Sequence, residues 1–285
     1  MKIGINLFLW TTRVDRSHYP LLRELKQAGY DGVEIPVFEG SVADYKELGS
    51  VLGDLGLGVT ACTVQSAETN PISPDPAVRQ AALDRLRWSL DCCRAMHAEI
   101  LCGPLHSALG VFSGLPRTEE EIQRGRDFFN AIAPETDGVE LAIEYLNRFE
   151  NYFLTTAQDS ADFISGIPHP SCGLMWDTFH AHIEEKSCEA LRTMRDRLIH
   201  VHLSENDRGI PGTGQVHWDA TFALLRELQY DRWLVIEAFG RALPDLAAAT
   251  RVWRDLFARS EEVYQQGISF IREKWEKAGG PAVKN

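Results

Sequence analysis

Eight short apolar runs alternate with amphipathic stretches along the chain. They are KIGINLFLW (2–10), GVEIPVF (32–38), GVTACTV (58–64), EILCGPL (99–105), VELAIEYL (139–146), CGLMWDTF (172–179), RLIHVHLS (197–204) and RWLVIEAF (232–239). The last run, with β-branched Val235 and Ile236 flanked by Trp233, Leu234 and Phe239, reads as a strand buried on both faces. Helical patterns lie between the runs, at 18–28, 43–55, 76–97, 118–133, 156–165, 187–196 and 217–228, and an eighth follows the last run at 244–258. Strands separated by helix-length segments predict βαβ units with parallel strands. Eight of each within about 250 residues predict an α/β fold, the (β/α)₈ barrel.

The punctuation agrees with this reading. Asp75 before Pro76 suits an N-cap followed by a first-turn proline. Thr118 with Glu121 has the spacing of a capping box. Turn signals at Asp31-Gly32, Leu57-Gly58 and Asp137-Gly138 precede strands. A doubly wound open sheet would carry a glycine-rich phosphate turn after its first strand, and LWTTRVDRS has none. The tail, 262–277, predicts one more helix with Tyr264, Ile268, Ile271 and Trp275 on one face. That face either closes the barrel bottom or meets another subunit, and a homo-oligomer, dimer or tetramer, is expected. No linker or low-complexity segment interrupts the 285 residues, so one domain spanning 1–285 is expected.

Composition narrows the partners. A net charge of −12 disfavours nucleic acid, whose binding rests on neutralising phosphates. No run reaches the ~18 apolar residues of a membrane span. The six cysteines include no C-x-x-C pair and read as reduced, buried thiols, so a soluble, cytoplasmic protein is expected. The apolar start MKIGINLFLW is short and lacks a cleavage pattern, so no signal peptide is read there.

The chemistry lies at the strand ends. Runs five to eight close on AIEYLNRFE, MWDTFH, HVHLSEND and VIEAF, placing Glu144, Asp177, His202 and Glu237 at one height in the barrel. Each alone could be a paired core residue. Together, three carboxylates in an apolar lumen repel one another unless a cation neutralises them, and no lysine or arginine lies in the four runs at that height. Carboxylate and imidazole donors suit Mn²⁺, Co²⁺ or Mg²⁺, Mn²⁺ before the others. Period-two alternation puts His200 on the face of His202 but deeper, where it orients a neighbour. Among the earlier strands Glu34 is the only charged interior candidate.

The segments IEYLNRFE, MWDTFHAHIEE, HVHLSENDRG and VIEAF closely resemble those of the ketose 3-epimerases, which act on tagatose, allulose or ribulose within the xylose-isomerase-like barrel superfamily. The resemblance runs over nearly the whole chain. It implies that Glu144, Asp177, His202 and Glu237 hold a divalent metal, and that Glu144 and Glu237 are the two acid/base residues of C3 epimerisation through an enediolate. It also implies that Glu150, His180 and Arg208 hold the C1–C3 end of the sugar and that the loop at 106–114 covers its distal part.

Other features carry two readings. Phe8, Trp10 and Phe38 either wall the sugar pocket or pack the core, and His106 either meets substrate or sits in a surface loop. GIPGTG (209–214) reads as a plain turn leading to the helix near Trp218 rather than as a phosphate loop. The competing functions are an aldose–ketose isomerase with the same metal cage, a multi-zinc abasic-site endonuclease, which the charge disfavours, and a non-catalytic sugar-binding barrel.

Overall fold

The computed structural model describes residues 1–279. Eight parallel strands close into a barrel in chain order: β1 (Lys2–Asn6), β2 (Gly32–Pro36), β3 (Gly58–Cys62), β4 (Ile100–Gly103), β5 (Glu140–Glu144), β6 (Cys172–Asp177), β7 (Leu198–Leu203) and β8 (Trp233–Ile236), with β8 paired back onto β1. The helices are α1 (Tyr19–Ala28), α2 (Val42–Leu55), α3 (Pro76–Ala95), α4 (Glu119–Ile132), α5 (Ala157–Ser165), α6 (Thr178–Glu184), α7 (Trp218–Glu227), α8 (Pro244–Ala249) and α9 (Ser260–Ala278). None is long and apolar enough to cross a membrane. Most strands stop short of their apolar runs, because the last residues of those runs leave the sheet as the βα loops of the barrel mouth.

Two layers of apolar side chains hold the barrel. The larger lies between sheet and helices, including Ile5, Val33, Ile35, Leu141, Val201 and Leu234. The smaller fills the lumen with Ile100, Cys102, Ala142, Met175, Ile199, Trp233 and Val235. Trp233 occupies the lower lumen so fully that a Cβ on Gly32 or Gly58 would lie 2.5 or 2.9 Å from its ring. Those two glycines make room for an indole. The caps form as the sequence implies: Asp75 accepts from the Ala77 amide, and Thr118 and Glu121 form a reciprocal box.

Three segments differ from the sequence pattern. Residues 188–194 form a 3₁₀ helix, and the short α6 precedes it, started by Asp177, whose carboxylate accepts from the Phe179 amide at 2.6 Å. The pattern at 244–258 yields only α8, because Arg251 turns the chain through the left-handed region at φ 60°. The tail helix does not close the barrel bottom. α9 runs down the barrel wall between α1 and α7, taking the eighth outer position that α8 leaves short. Its apolar face is used within the chain: Tyr264, Ile268 and Ile271 are buried, and Trp275 meets Phe222 edge-on at 6.4 Å. Burying Ile268 and Ile271 contributes roughly 1.5–3 kcal/mol each. Gly267 lets α9 approach β8, since a Cβ there would lie 2.6 Å from Ile236.

Candidate active site

The strand ends bring Glu144, Asp177, His202 and Glu237 together at the mouth. Asp177 pairs with His202 in the sheet register, Glu144 lies beside Met175, and Glu237 follows β8 two residues beyond Val235, the partner of His202. Alternation turns all four inward. His202 Nδ1 faces Glu237 Oε1 at 3.4 Å and Asp177 Oδ2 at 3.8 Å, and one donor atom each from Glu144, Asp177 and His202 lie within 4.8 Å of one another. Nδ1 is buried without a hydrogen-bond partner. An imidazole nitrogen without a hydrogen-bond partner, set among carboxylates, is the donor set of a hard or borderline cation, so these residues fit a divalent metal.

The electrostatics agree. Burial, then repulsion from Asp177, raises the Glu144 carboxyl well above its ordinary range. Burial pushes Asp177 up to about 7 despite the nearby Arg208 guanidinium. Burial would raise Glu237 too, but His202 and Arg208 outweigh it and hold that carboxyl low. Burial opposes charge on His202 as well, but Glu34 and Glu237 raise it well above the usual imidazole range. Carboxyls pushed upward by one another are what a bound dication would reverse.

The far side of His202 is anchored by a residue to which the sequence pattern assigns no role. Glu34, from β2, is fully buried and accepts from His202 Nε2 at 2.6 Å through Oε1 and from His200 Nε2 at 2.7 Å through Oε2. Asn6 Nδ2 and Thr60 Oγ1 add one bond each, both 2.9 Å, to Oε1 and Oε2 respectively. Burial works against this carboxylate, yet His202 and His200 hold it well below its usual range. His200 is thus the deeper histidine, linked to His202 through Glu34 rather than directly. The available signal was a single glutamate in the second apolar run.

Arg208 enters from the loop after β7 and supplies the cation that the four runs lack. Its backbone is left-handed, φ 68°, which folds the side chain back over the mouth. Nη1 donates to Glu237 Oε2 at 2.6 Å, Ser204 Oγ at 3.1 Å and Asp177 Oδ2 at 3.2 Å. The guanidinium lies 3.7 Å from the Phe179 ring centroid, which holds it flat. Beside it, His180 Nδ1 accepts from the Asn147 amide at 3.0 Å, so the ring proton sits on Nε2, 3.6 Å from Glu144 Oε1. Burial, then Arg208, keeps His180 neutral. Glu150 is held by Asn147 Nδ2 at 2.9 Å and stands 4.0 Å from Arg208. Asn147 therefore supports both neighbours.

A cavity of about 300 Å³ opens over this group. Glu144, Glu150, His180, His202, Arg208 and Glu237 line its polar end. Phe8, Phe38, Val64, Leu109, Phe239 and Leu246 line most of the remainder, which also holds Thr12, Thr63, Asp245 and Thr250. Phe8 packs on Phe38 and Phe239 with centroids 5.5 and 6.0 Å apart, so two of the early aromatics are wall residues. Trp10 instead turns away, its Nε1 donating to Ser260 Oγ at 3.0 Å.

His106 does not line the cavity, contrary to the substrate-contact reading. It is fully buried behind β5, with Nε2 on the Glu144 carbonyl at 2.9 Å and Nδ1 on Ser107 Oγ at 2.8 Å. Burial lowers it to about 3. As a loop residue its direction is not set by strand alternation. GIPGTG is not an anion loop either. Glu205 fills it, accepting from the amides of Gly212 at 2.8 Å and Val216 at 3.1 Å and from Trp218 Nε1 at 2.9 Å.

The family model of the xylose isomerase-like TIM barrels matches residues 22–274. The chain belongs to that family. A ketose 3-epimerase of Arthrobacter globiformis is 30% identical over 280 residues, covering 96% of each chain. A D-psicose 3-epimerase of Agrobacterium fabrum is 30% identical over 284 residues, covering 95% of this chain and 98% of its own. The crystal structure of D-allulose 3-epimerase from Methylomonas sp. in complex with D-allulose superposes with a TM-score of 0.90 at 26% identity, covering 96% of this chain and 97% of the other. Within the barrel family the chain is therefore a member of the ketose 3-epimerases, which are carbohydrate isomerases.

Proposed function

We propose that this chain epimerises free ketoses at C3, with Mn²⁺ as the best-suited cation and Co²⁺ or Mg²⁺ as substitutes. The observation that carries this is the convergence of Glu144, Asp177, Glu237 and the unpartnered His202 Nδ1 at the polar end of a sugar-sized cavity. A divalent cation held by those four side chains would polarise the ketose carbonyl as a Lewis acid.

The residues supply the rest. Inverting C3 requires one group to remove a proton beside the carbonyl and another to return one to the opposite face. Glu144 ends β5 and Glu237 follows β8, so they reach the cavity from walls separated by β6 and β7. Arg208 and the His180 Nε2–H are donors aimed at oxygens of the C1–C3 end, where charge develops on an enediolate. Glu150 accepts from a hydroxyl there. Phe8, Phe38 and Phe239 cover the distal carbons and exclude water.

The test is incubation of D-tagatose, D-allulose, D-fructose and L-ribulose with the Mn²⁺-loaded protein in D₂O, followed by chromatography and NMR. C3 epimers carrying deuterium at C3 are expected. Aldoses with deuterium at C1 or C2 would replace this reading with aldose–ketose isomerisation, and no turnover would leave a binding barrel.

A further inference from the structure

We infer that Glu34 is a positioning residue that aims His202 at the cation site, by holding its Nε2–H from below so that the Nδ1 lone pair faces Asp177 and Glu237. This rests on the reading that His202 is a metal ligand. An imidazole that binds a cation through one nitrogen must carry its proton on the other, and what the second nitrogen touches decides this. His202 Nε2 lies 2.6 Å from Glu34 Oε1, and Nδ1 has no hydrogen-bond partner. Glu34 comes from β2, across the lumen from β7, and hydrogen-bonds none of the three carboxylates, so its contact with the candidate cation site is made through the ring.

Glu34 is itself held against rotation. Asn6 Nδ2 at 2.9 Å fixes Oε1 on the side of His202, while Thr60 Oγ1 and His200 Nε2 fix Oε2. Cys102 Sγ lies 3.3 Å from Oε2, completing a shell of buried groups. His200 also has an unpartnered Nδ1, but no carboxylate of the mouth faces it. The same glutamate thus serves two histidines, and only the upper one reaches the candidate cation site.

This arrangement separates two substitutions. Glu34→Leu leaves both Nε2–H groups without an acceptor, freeing the His202 ring to turn or to move its proton to Nδ1. Glu34→Gln keeps an acceptor for His202, because Asn6 selects the amide oxygen on the Oε1 side. The amide NH₂ then faces His200, which can accept once its proton moves to its free Nδ1.

The experiment is a titration of each purified protein with Mn²⁺ alone, reading free Mn²⁺ by electron paramagnetic resonance, with thermal unfolding recorded alongside. Glu34→Leu should bind Mn²⁺ about 10–100-fold more weakly than wild type, the usual worth of an outer carboxylate on a ligating histidine. Glu34→Gln should recover most of that loss. A folded Glu34→Leu protein that binds as tightly as wild type would overturn the inference while leaving the metal reading intact. Wild type that binds no Mn²⁺ would overturn both. Should Glu34→Leu not fold, ¹⁵N NMR of wild type loaded with diamagnetic Mg²⁺ decides: the His202 ring proton should sit on Nε2. A proton found on Nδ1 would overturn the inference.

Discussion

Arg208 Nη1 donates to Glu237 Oε2 at 2.6 Å, which leaves Oε1 of the same carboxylate turned towards His202. Glu237 is therefore shared between a fixed guanidinium and the candidate cation site. Both partners are buried, so removing the guanidinium strands Glu237 and Asp177. Arg208→Met should cost the metal-free protein about 3–5 kcal/mol, as breaking a buried ion pair from one side does. The loss should shrink when Mn²⁺ is present, because the cation takes over the neutralisation. Denaturant unfolding with and without Mn²⁺ checks this, and equal losses in both conditions would refute the shared-carboxylate account.

Chelation tests the donor set as a whole. EDTA should abolish activity, and Mn²⁺ or Co²⁺ should restore it. The same additions should raise the unfolding temperature, since a ligand that binds only the native state stabilises it by mass action. Full activity in a verified metal-free preparation would remove the cation from the mechanism.

What the sequence displays about this site depends on how directly each side chain is set by its strand. Glu144, Asp177, His202 and Glu237 interrupt or end apolar runs, and alternation alone turns them inward. Glu34 does the same in the second run, but its partners His200 and His202 lie across a lumen that exists only once the barrel closes. Arg208 reaches the mouth through a left-handed backbone angle, which nothing in ENDRG announces. His106 fails for the matching reason: its direction comes from loop packing against β5. α6 was hidden because its cap, Asp177, already had a role as a strand end.

The turn after β7 predicts which substrates fail. Glu205 occupies the amides of Gly212 and Val216, and Arg208 is the only arginine or lysine lining the cavity among the described residues. A phosphate on the distal carbon would meet a largely apolar wall whose one charged side chain, Asp245, is acidic, and a buried dianion left without a cation is costly. A ketose phosphate should therefore show kcat/KM at least about tenfold below its free sugar by the cost of an unpaired buried charge. Steady-state kinetics on such a pair decides, and a preference for the phosphate would overturn the assignment.

Glu205 also predicts a pH dependence of stability. Burial acts to raise this carboxyl, but bonds from Asn206, Trp218, Val216 and Gly212 outweigh it and lower its pKa from 4.5. A depressed folded-state pKa means that the ionised group stabilises the fold above its unfolded value, and that this is lost as pH falls through the folded value. Wild type should thus exceed Glu205→Gln in stability by a margin that is constant near neutrality and narrows below about pH 4.5. Urea unfolding of both proteins across that range checks it. A margin that widens on acidification would contradict the sign.

The two glutamates test the reaction itself. If Glu144 and Glu237 serve opposite faces of C3, neither can stand in for the other. Glutamine at either position keeps the size and one oxygen but removes the base, so Glu144→Gln and Glu237→Gln should each lower kcat by about 10²–10⁴-fold, the usual worth of a general acid–base group. KM should move far less. Weaker metal binding could mimic the loss, so metal content is measured in the same samples and the comparison made at equal occupancy. In D₂O the wild-type product should carry deuterium at C3, because the group that returns the proton differs from the one that took it. Retention of the original hydrogen at C3 would require a single base that carries it across, and the opposed-glutamate mechanism would fall.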